Sequence, residues 1–114
     1  MEEKTITLYR PCGPKEYELV AASGFKKWPP RLPEQPIFYP VTNEQYAYEV
    51  NRWNVTHNGK GYVTRFYVKE SFMSNYKVET VGSSIHTEWW IPAEDLEKLN
   101  ENIVGLIEVI GEEP

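Results

Sequence analysis

The run His86-Thr87-Glu88-Trp89-Trp90-Ile91-Pro92 sets one carboxylate inside a short aromatic stretch that proline ends. Strands built of β-branched and aromatic residues seldom hold Glu. Glu88 is therefore either a solvent-facing acid on a half-buried edge strand or a working carboxylate. His86 lies two residues before it, on the same strand face. It can orient that acid or serve as a structural histidine with satisfied partners. Arg10 ends an early strand; its guanidinium can fork two hydrogen bonds onto an anion, or pair with nearby Glu16 or Glu18. Tyr39 is either a core ring or a stacking surface for a flat ligand. Arg31, in a proline-stiffened loop, is a further phosphate candidate.

Other chemistries are poorly supplied. Cys12 is the single cysteine, so no internal disulfide forms. Neither His57 nor His86 is near it in sequence, and the thiol reads as buried or in a turn rather than as a nucleophile. Two His and one Cys are a thin stock for zinc, and no metal site is expected. The net charge of −5 disfavours non-specific nucleic-acid binding. The charge is uneven: residues 1–31 carry Lys4, Arg10, Lys15, Lys26, Lys27 and Arg31 against Glu2, Glu3, Glu16 and Glu18, whereas residues 88–114 carry eight acids and only Lys98. A locally positive first third suits a small anion such as a nucleotide diphosphate.

The elements that must position these residues fit one domain over residues 1–114, with an ordered core from about 4 to 110 and a frayed acidic tail at 111–114. Hydrophobic residues make up 40% and aromatics 14%, which argues against disorder. No run approaches the ~20 apolar residues that cross a bilayer. Met1-Glu2-Glu3-Lys4 is unlike a secretory leader, so a cytoplasmic protein is expected and the Asn54-Val55-Thr56 glycosylation sequon reads as chance.

Thr5 to Tyr9 alternate as a strand. Pro11-Cys12-Gly13-Pro14 turns the chain into a helix over Lys15–Ser23 with Leu19 and Val20 inward, stopped by Gly24. Residues 28–36 carry four prolines and form a stiff extended loop, anchored by Trp28 and Leu32. Ile37–Val41 is a second strand. Thr42 and Gln45 have the spacing of a capping box, and the helix that follows sets Tyr46, Val50 and Trp53 on one apolar stripe before fraying from Asn54. Gly61–Val68 is the clearest strand, Glu70–Ser74 a helical turn, and Tyr76–Val81 a strand broken by Gly82-Ser83-Ser84. After the Glu88 strand, Pro92 opens a short helix with Leu96, Leu99 and Ile103 inward, and Val104–Ile110 is the last strand. Helices early and hairpin-like strands late argue for an α+β fold.

Three segments carry a resemblance. Leu8-Tyr9-Arg10 ends a strand that leads to a helix; Ile37-Phe38-Tyr39 and Thr42 lead into a helix bearing Ala47; and His86-x-Glu88-Trp-Trp-Ile-Pro closes a late strand. In this order they resemble the ADP-ribosyltransferase fold. Nearly the whole chain, roughly residues 6–110, is similar to small bacterial proteins that carry the label "ADP-ribosylation/J-crystallin", through 31–41 (Arg31-Leu32-Pro33-Glu34-Gln35-Pro36-Ile37-Phe38-Tyr39-Pro40-Val41) and Gly61-Tyr62-Val63-Thr64-Arg65-Phe66. The all-helical, Asp-rich glycohydrolases of the crystallin type do not fit a chain with Asp95 alone.

The resemblance implies split antiparallel or mixed sheets with two to three short helices, and NAD as substrate. Glu88 would steady the oxocarbenium-like ribose formed when the nicotinamide bond breaks. Arg10 would hold the diphosphate or the adenosine ribose, with Arg31 a weaker phosphate candidate, Tyr39 would stack nicotinamide, and His86 would orient Glu88 or the acceptor. ADP-ribose would pass to a protein acceptor or to water. The alternative is a non-catalytic module holding a nucleotide or a protein in the same cleft. A third class is an interaction protein that docks through loop 28–36.

Overall fold

A computed structural model describes residues 4–114 and gives an α+β fold in which every strand pairing is antiparallel. Met1, Glu2 and Glu3 lie outside the described residues, and with them most of the N-terminal segment read for a leader. The elements are β1 (Thr5–Cys12), α1 (Pro14–Ala22), β2 (Ile37–Phe38), α2 (Glu44–Asn58), β3 (Gly61–Lys69), α3 (Glu70–Met73), β4 (Val78–Thr80), β5 (Thr87–Trp89), β6 (Ile91–Pro92), a 3₁₀ turn (Ala93–Asp95), α4 (Leu96–Glu101) and β7 (Ile103–Glu113). Among the described residues there are four α-helices rather than two to three; α3 is a single turn.

β3 is the middle strand of the main sheet, between β1 and β7. Beyond β1 the sheet continues through one bridge after another: Tyr9 faces Val41, and Val41 faces Glu88 on β5. β4 closes that edge, pairing Glu79 with Glu88. β2 and β6 add a short pair beside it. This register decides the site, because directly opposed residues share a face and the next residue points to the other. Tyr9, Val41 and Glu88 share one face with Val63. Leu8, Arg10 and Cys12 belong to the opposite face.

That opposite face carries the main core: Leu8, Cys12, Val20, Trp28, Phe38, Phe66, Val68, Met73, Ile91, Leu96, Leu99 and Ile107. Trp28 anchors the proline loop, as expected, through Phe38 and Phe66, with ring centroids 5.6 and 5.2 Å away. Asn100 clamps its backbone: the Trp28 N–H donates to Asn100 Oδ1 at 2.9 Å and Asn100 Nδ2 donates to the Trp28 carbonyl at 3.0 Å. Leu32 is exposed and anchors nothing. Leu19 also faces solvent, because α1 turns Val20 inward.

The face with Glu88 is covered by α2, and here the helix differs from its sequence pattern. Ala47 and Asn51 are its buried residues, while Val50 and Trp53 are exposed, Trp53 by 59%. Small residues let the helix approach the sheet closely. Gly61 lies directly beneath Asn51, and Gly111 beneath the Tyr48 ring, where any added Cβ would overlap those side chains. The apolar stripe therefore turns outward. The N-cap is Asn43 rather than Thr42: its Oδ1 accepts from the Tyr46 N–H at 2.8 Å. Thr42 instead pairs its hydroxyl with Thr87 and donates its N–H to the Thr87 carbonyl at 3.1 Å. The helix does not fray at Asn54; it runs to Asn58 and ends on Gly59 at φ 78°.

Two strands outrun expectation. β1 continues through Pro11 and Cys12, paired with Val63 and Tyr62. β7 continues through the acidic end, Glu113 pairing with Gly61 and accepting from Asn51 Nδ2 at 2.9 Å. The tail expected to fray is thus a ladder strand. No described helix is long and apolar enough to cross a membrane.

Candidate functional site

β5 explains how a Glu sits directly before two Trp. Strand alternation sends Trp89 to the core side, where it packs on the main cluster, and sends Glu88 and Trp90 to the α2 side. There Glu88 is held from both ends. The Tyr46 hydroxyl donates to Oε2 at 3.0 Å and Trp90 Nε1 donates to Oε1 at 2.8 Å. A carboxylate offers about four lone-pair positions, so each oxygen keeps one for a ligand. Burial first, then the hydrogen bond to Glu88 and its charge, raise the Tyr46 phenol to about 12. It therefore remains a donor across the physiological range.

These side chains wall a cleft of ≈ 440 Å³ with Arg10, Pro11, Tyr39, Val41 and Val50, within the size range of small-ligand sites. Tyr39 stands at its mouth, 41% exposed, with its ring edge-on to Trp90 at 6.3 Å. Of the two readings of Tyr39, the core one is thereby removed. Larger grooves follow β7 (≈ 690 Å³) and the gap between α4 and loop 26–30 (≈ 890 Å³), but neither contains a carboxylate held by aromatic donors. Among the described residues no three metal-ligating side chains converge.

His86 precedes β5 and shapes the turn leading into it. Its Nδ1 accepts from the Ser83 N–H at 3.2 Å, and its Nε2 faces Glu49 Oε1 at 3.4 Å. The ring packs on Tyr46 with centroids 4.8 Å apart. His86 thus reaches Glu88 through Tyr46, on the same α2 side of the sheet. Gly82 is required beside it, since a Cβ there would come within 2.6 Å of Nδ1.

Arg10 borders the cleft, but its guanidinium lies elsewhere. It sits 4.4 Å over the Phe38 ring and 5.6 Å from that of Trp28. Nε and Nη2 both donate to Glu16, at 2.7 and 3.0 Å. The fork proposed for a diphosphate is occupied by the helix α1 acid that the sequence offered as its other partner. Burial opposes the charge on Glu16, but the Arg10 charge and hydrogen bonds, with the Arg31 charge, outweigh it and hold the carboxyl low. Arg31 joins the same group, its Nη1 3.6 Å from Glu16 and its Cζ 5.8 Å from the Phe38 centroid. Cys12 is buried beside it; burial and Glu16 raise the thiol to about 12, against the pull of Arg10.

No protein-family model, curated protein or solved structure matches this chain. Its chemistry is therefore read from these residues. Glu88 and Tyr39 meet at one cleft, His86 supports it from behind Tyr46, and Arg10 and Arg31 cluster on the core side of the sheet. Sequence reasoning missed Tyr46, Trp90 and Glu49. Tyr46 carried a usable signal: a Tyr on an apolar stripe needs a partner for its hydroxyl.

Proposed function

We propose that the Glu88 cleft binds the nicotinamide–ribose end of NAD and that Glu88 promotes cleavage of the nicotinamide bond, as the resemblance to ADP-ribosyltransferases implies. The observation that supports this most is a carboxylate fixed by two aromatic donors in a cleft bordered by Tyr39, Tyr46 and Trp90. In this reading the cationic nicotinamide ring lies against Tyr39 or Trp90. The C–N bond breaks with its electron pair leaving on nicotinamide, which departs neutral. The ribose becomes an oxocarbenium-like cation. Glu88 accepts a hydrogen bond from the 2-hydroxyl of the ribose and offsets the new charge. Water or a protein nucleophile then adds to the sugar carbon and loses a proton. Glu79, opposite Glu88 on β4, and Glu49, beside His86, add negative potential that favours the cation. A cytoplasmic setting, where NAD is available, belongs to the same proposal.

The test is nicotinamide release from NAD by the purified protein. Glu88→Gln is expected to lower the rate about 10²- to 10³-fold, the scale of losing one electrostatic stabiliser, with the fold intact by circular dichroism. No release by the native protein, or equal rates for both, would refute it.

One observation favours a non-catalytic module instead: Glu16 already fills the Arg10 fork. In that case ADP-ribose raises the melting temperature while NAD remains uncleaved.

A further inference from the structure

Arg31 is a charged group whose hydrogen-bonding capacity is incompletely met. Only 11% of its side chain is exposed, and its Nε is buried with no hydrogen-bond partner. A guanidinium carries five N–H donors. Its ion pair, with Glu16 at 3.6 Å, is to an acid whose two oxygens already accept from Arg10. Arg10 is equally enclosed, 12% exposed. Two guanidinium cations thus share one carboxylate over the Phe38 ring, leaving one excess positive charge where water has little access. Removing charge from water without full pairing is costly. The strain registers at Arg31, whose pKa is lowered by burial and by Arg10, against the pull of Glu16 and Tyr39. The Tyr39 ring, next in sequence to Phe38, stands at the exposed mouth of the neighbouring cleft.

We propose that Arg31, with the free edge of Arg10, is a receptor for a phosphate-type oxyanion, and that Glu16 is its intramolecular competitor. The anion would accept from the Arg31 donors that have no partner, with the planar fork matching two of its oxygens. It would make the charge count even, two cations with two anions. Arg31 rather than Arg10 is the principal ligand, because the Arg10 fork is already filled. The inference does not depend on NAD: a free phosphate and the phosphates of a nucleotide present the same oxygens.

Thermal melting in inorganic phosphate and in pyrophosphate, against chloride at equal ionic strength, tests it. The native protein is expected to gain melting temperature with rising phosphate but not with chloride. Arg31→Gln should abolish the gain and Arg31→Lys should keep part of it. Glu16→Gln should lower the half-saturating phosphate concentration about tenfold, the effect of freeing a charge-assisted donor pair. Glu88→Gln should leave phosphate binding unchanged, which separates this site from the NAD cleft. If ADP-ribose competes with phosphate in native protein, the oxyanion belongs to a nucleotide; if phosphate binds without competition, it is free phosphate. Equal melting in phosphate and chloride, or an undiminished gain in Arg31→Gln, overturns the proposal. Should Glu16→Gln fail to fold, the Arg31 variants decide.

Discussion

Replacing Trp28 separates the packing role of its ring from the polarity of its nitrogen. Trp28 is fully enclosed, in contact with Phe38 and Phe66, and it holds the loop from which Arg31 projects. Its Nε1 is buried without a partner. Trp28→Ala removes a whole core ring, a change costing about 3–5 kcal/mol. A domain this size has about 6–17 kcal/mol in total, from ~0.05–0.15 kcal/mol per residue. At roughly 4–6 °C per kcal/mol, the melting temperature should fall by about 12–30 °C. Trp28→Phe keeps a six-membered ring and deletes the unpaired donor, which by itself costs about 1–3 kcal/mol to bury. The lost ring volume and the relieved donor offset each other, so this variant should lie within about 1.5 kcal/mol of native. Urea denaturation followed by near- and far-ultraviolet circular dichroism gives both values. A Trp28→Ala loss below about 1 kcal/mol would show that the loop is not anchored through this ring. Equal losses in both variants would show that removing the buried nitrogen does not offset the lost ring volume.

Three further outcomes follow from the titrating groups. Glu16, held low by Arg10 and Arg31, stabilises the fold above its unfolded pKa, and that stability is lost as pH falls through the lower folded value; Glu16→Gln should flatten the acid limb of a stability–pH curve, and an unchanged limb would show that the cluster does not couple to folding. Tyr46 and Tyr76 ionise last, near about 12, so their contribution is present below pH ~10 and fades as pH rises through the folded values; in a spectrophotometric titration Tyr46→Phe should remove one phenol from the most alkaline phase, and loss from an earlier phase would contradict the bond to Glu88. Cys12, buried and raised to about 12, should resist thiol-directed alkylation of the native protein at pH 8 and react on unfolding; rapid native labelling would contradict its burial.

Much of the fold was legible because two periodicities are strong here. The alternation of Thr5–Tyr9 and of Gly61–Val68 located β1 and β3, and Gly and Pro marked the ends of α1. The same reasoning failed on α2 for a physical reason. A stripe of Tyr46, Val50 and Trp53 looks like core, but the sheet beneath offers Gly61 and Gly111, which receive Asn51 and Tyr48 at close range. The helix rotates to use its small face, which leaves Tyr46 and Val50 to line the cleft and Trp53 exposed. The tail failed differently. Glu112 and Glu113 have no apolar reason to pair, yet Lys60 meets Glu112 at 2.6 Å and Asn51 meets Glu113, so polar partners on neighbouring elements extend the strand.

The candidate site was legible by residue type and not by parity. Arg10, Tyr39 and Glu88 were expected around one pocket, and all three border it. But a strand has two faces, and nothing in composition says whether residue 9 or residue 10 stands opposite Glu88. The bridges place Tyr9 there, through Val41, and this one-residue choice sends the Arg10 guanidinium to Phe38 and Glu16 on the other face.

Tyr39 is where the two faces communicate. On one side its ring meets Trp90, which holds Glu88; on the other it follows Phe38, the ring that both guanidinium groups face. The strand segment 38–41 separates the carboxylate cleft from the cation cluster, and Tyr39 is the exposed side chain at its rim. A ligand confined to the cleft has no reason to feel Arg31. One that satisfies both an aromatic-held carboxylate and an incompletely paired guanidinium must be cationic or sugar-like at one end and anionic at the other, and must pass over Tyr39. A dinucleotide has that charge order, which is why the two proposals, though independent in their tests, converge on the same side chain.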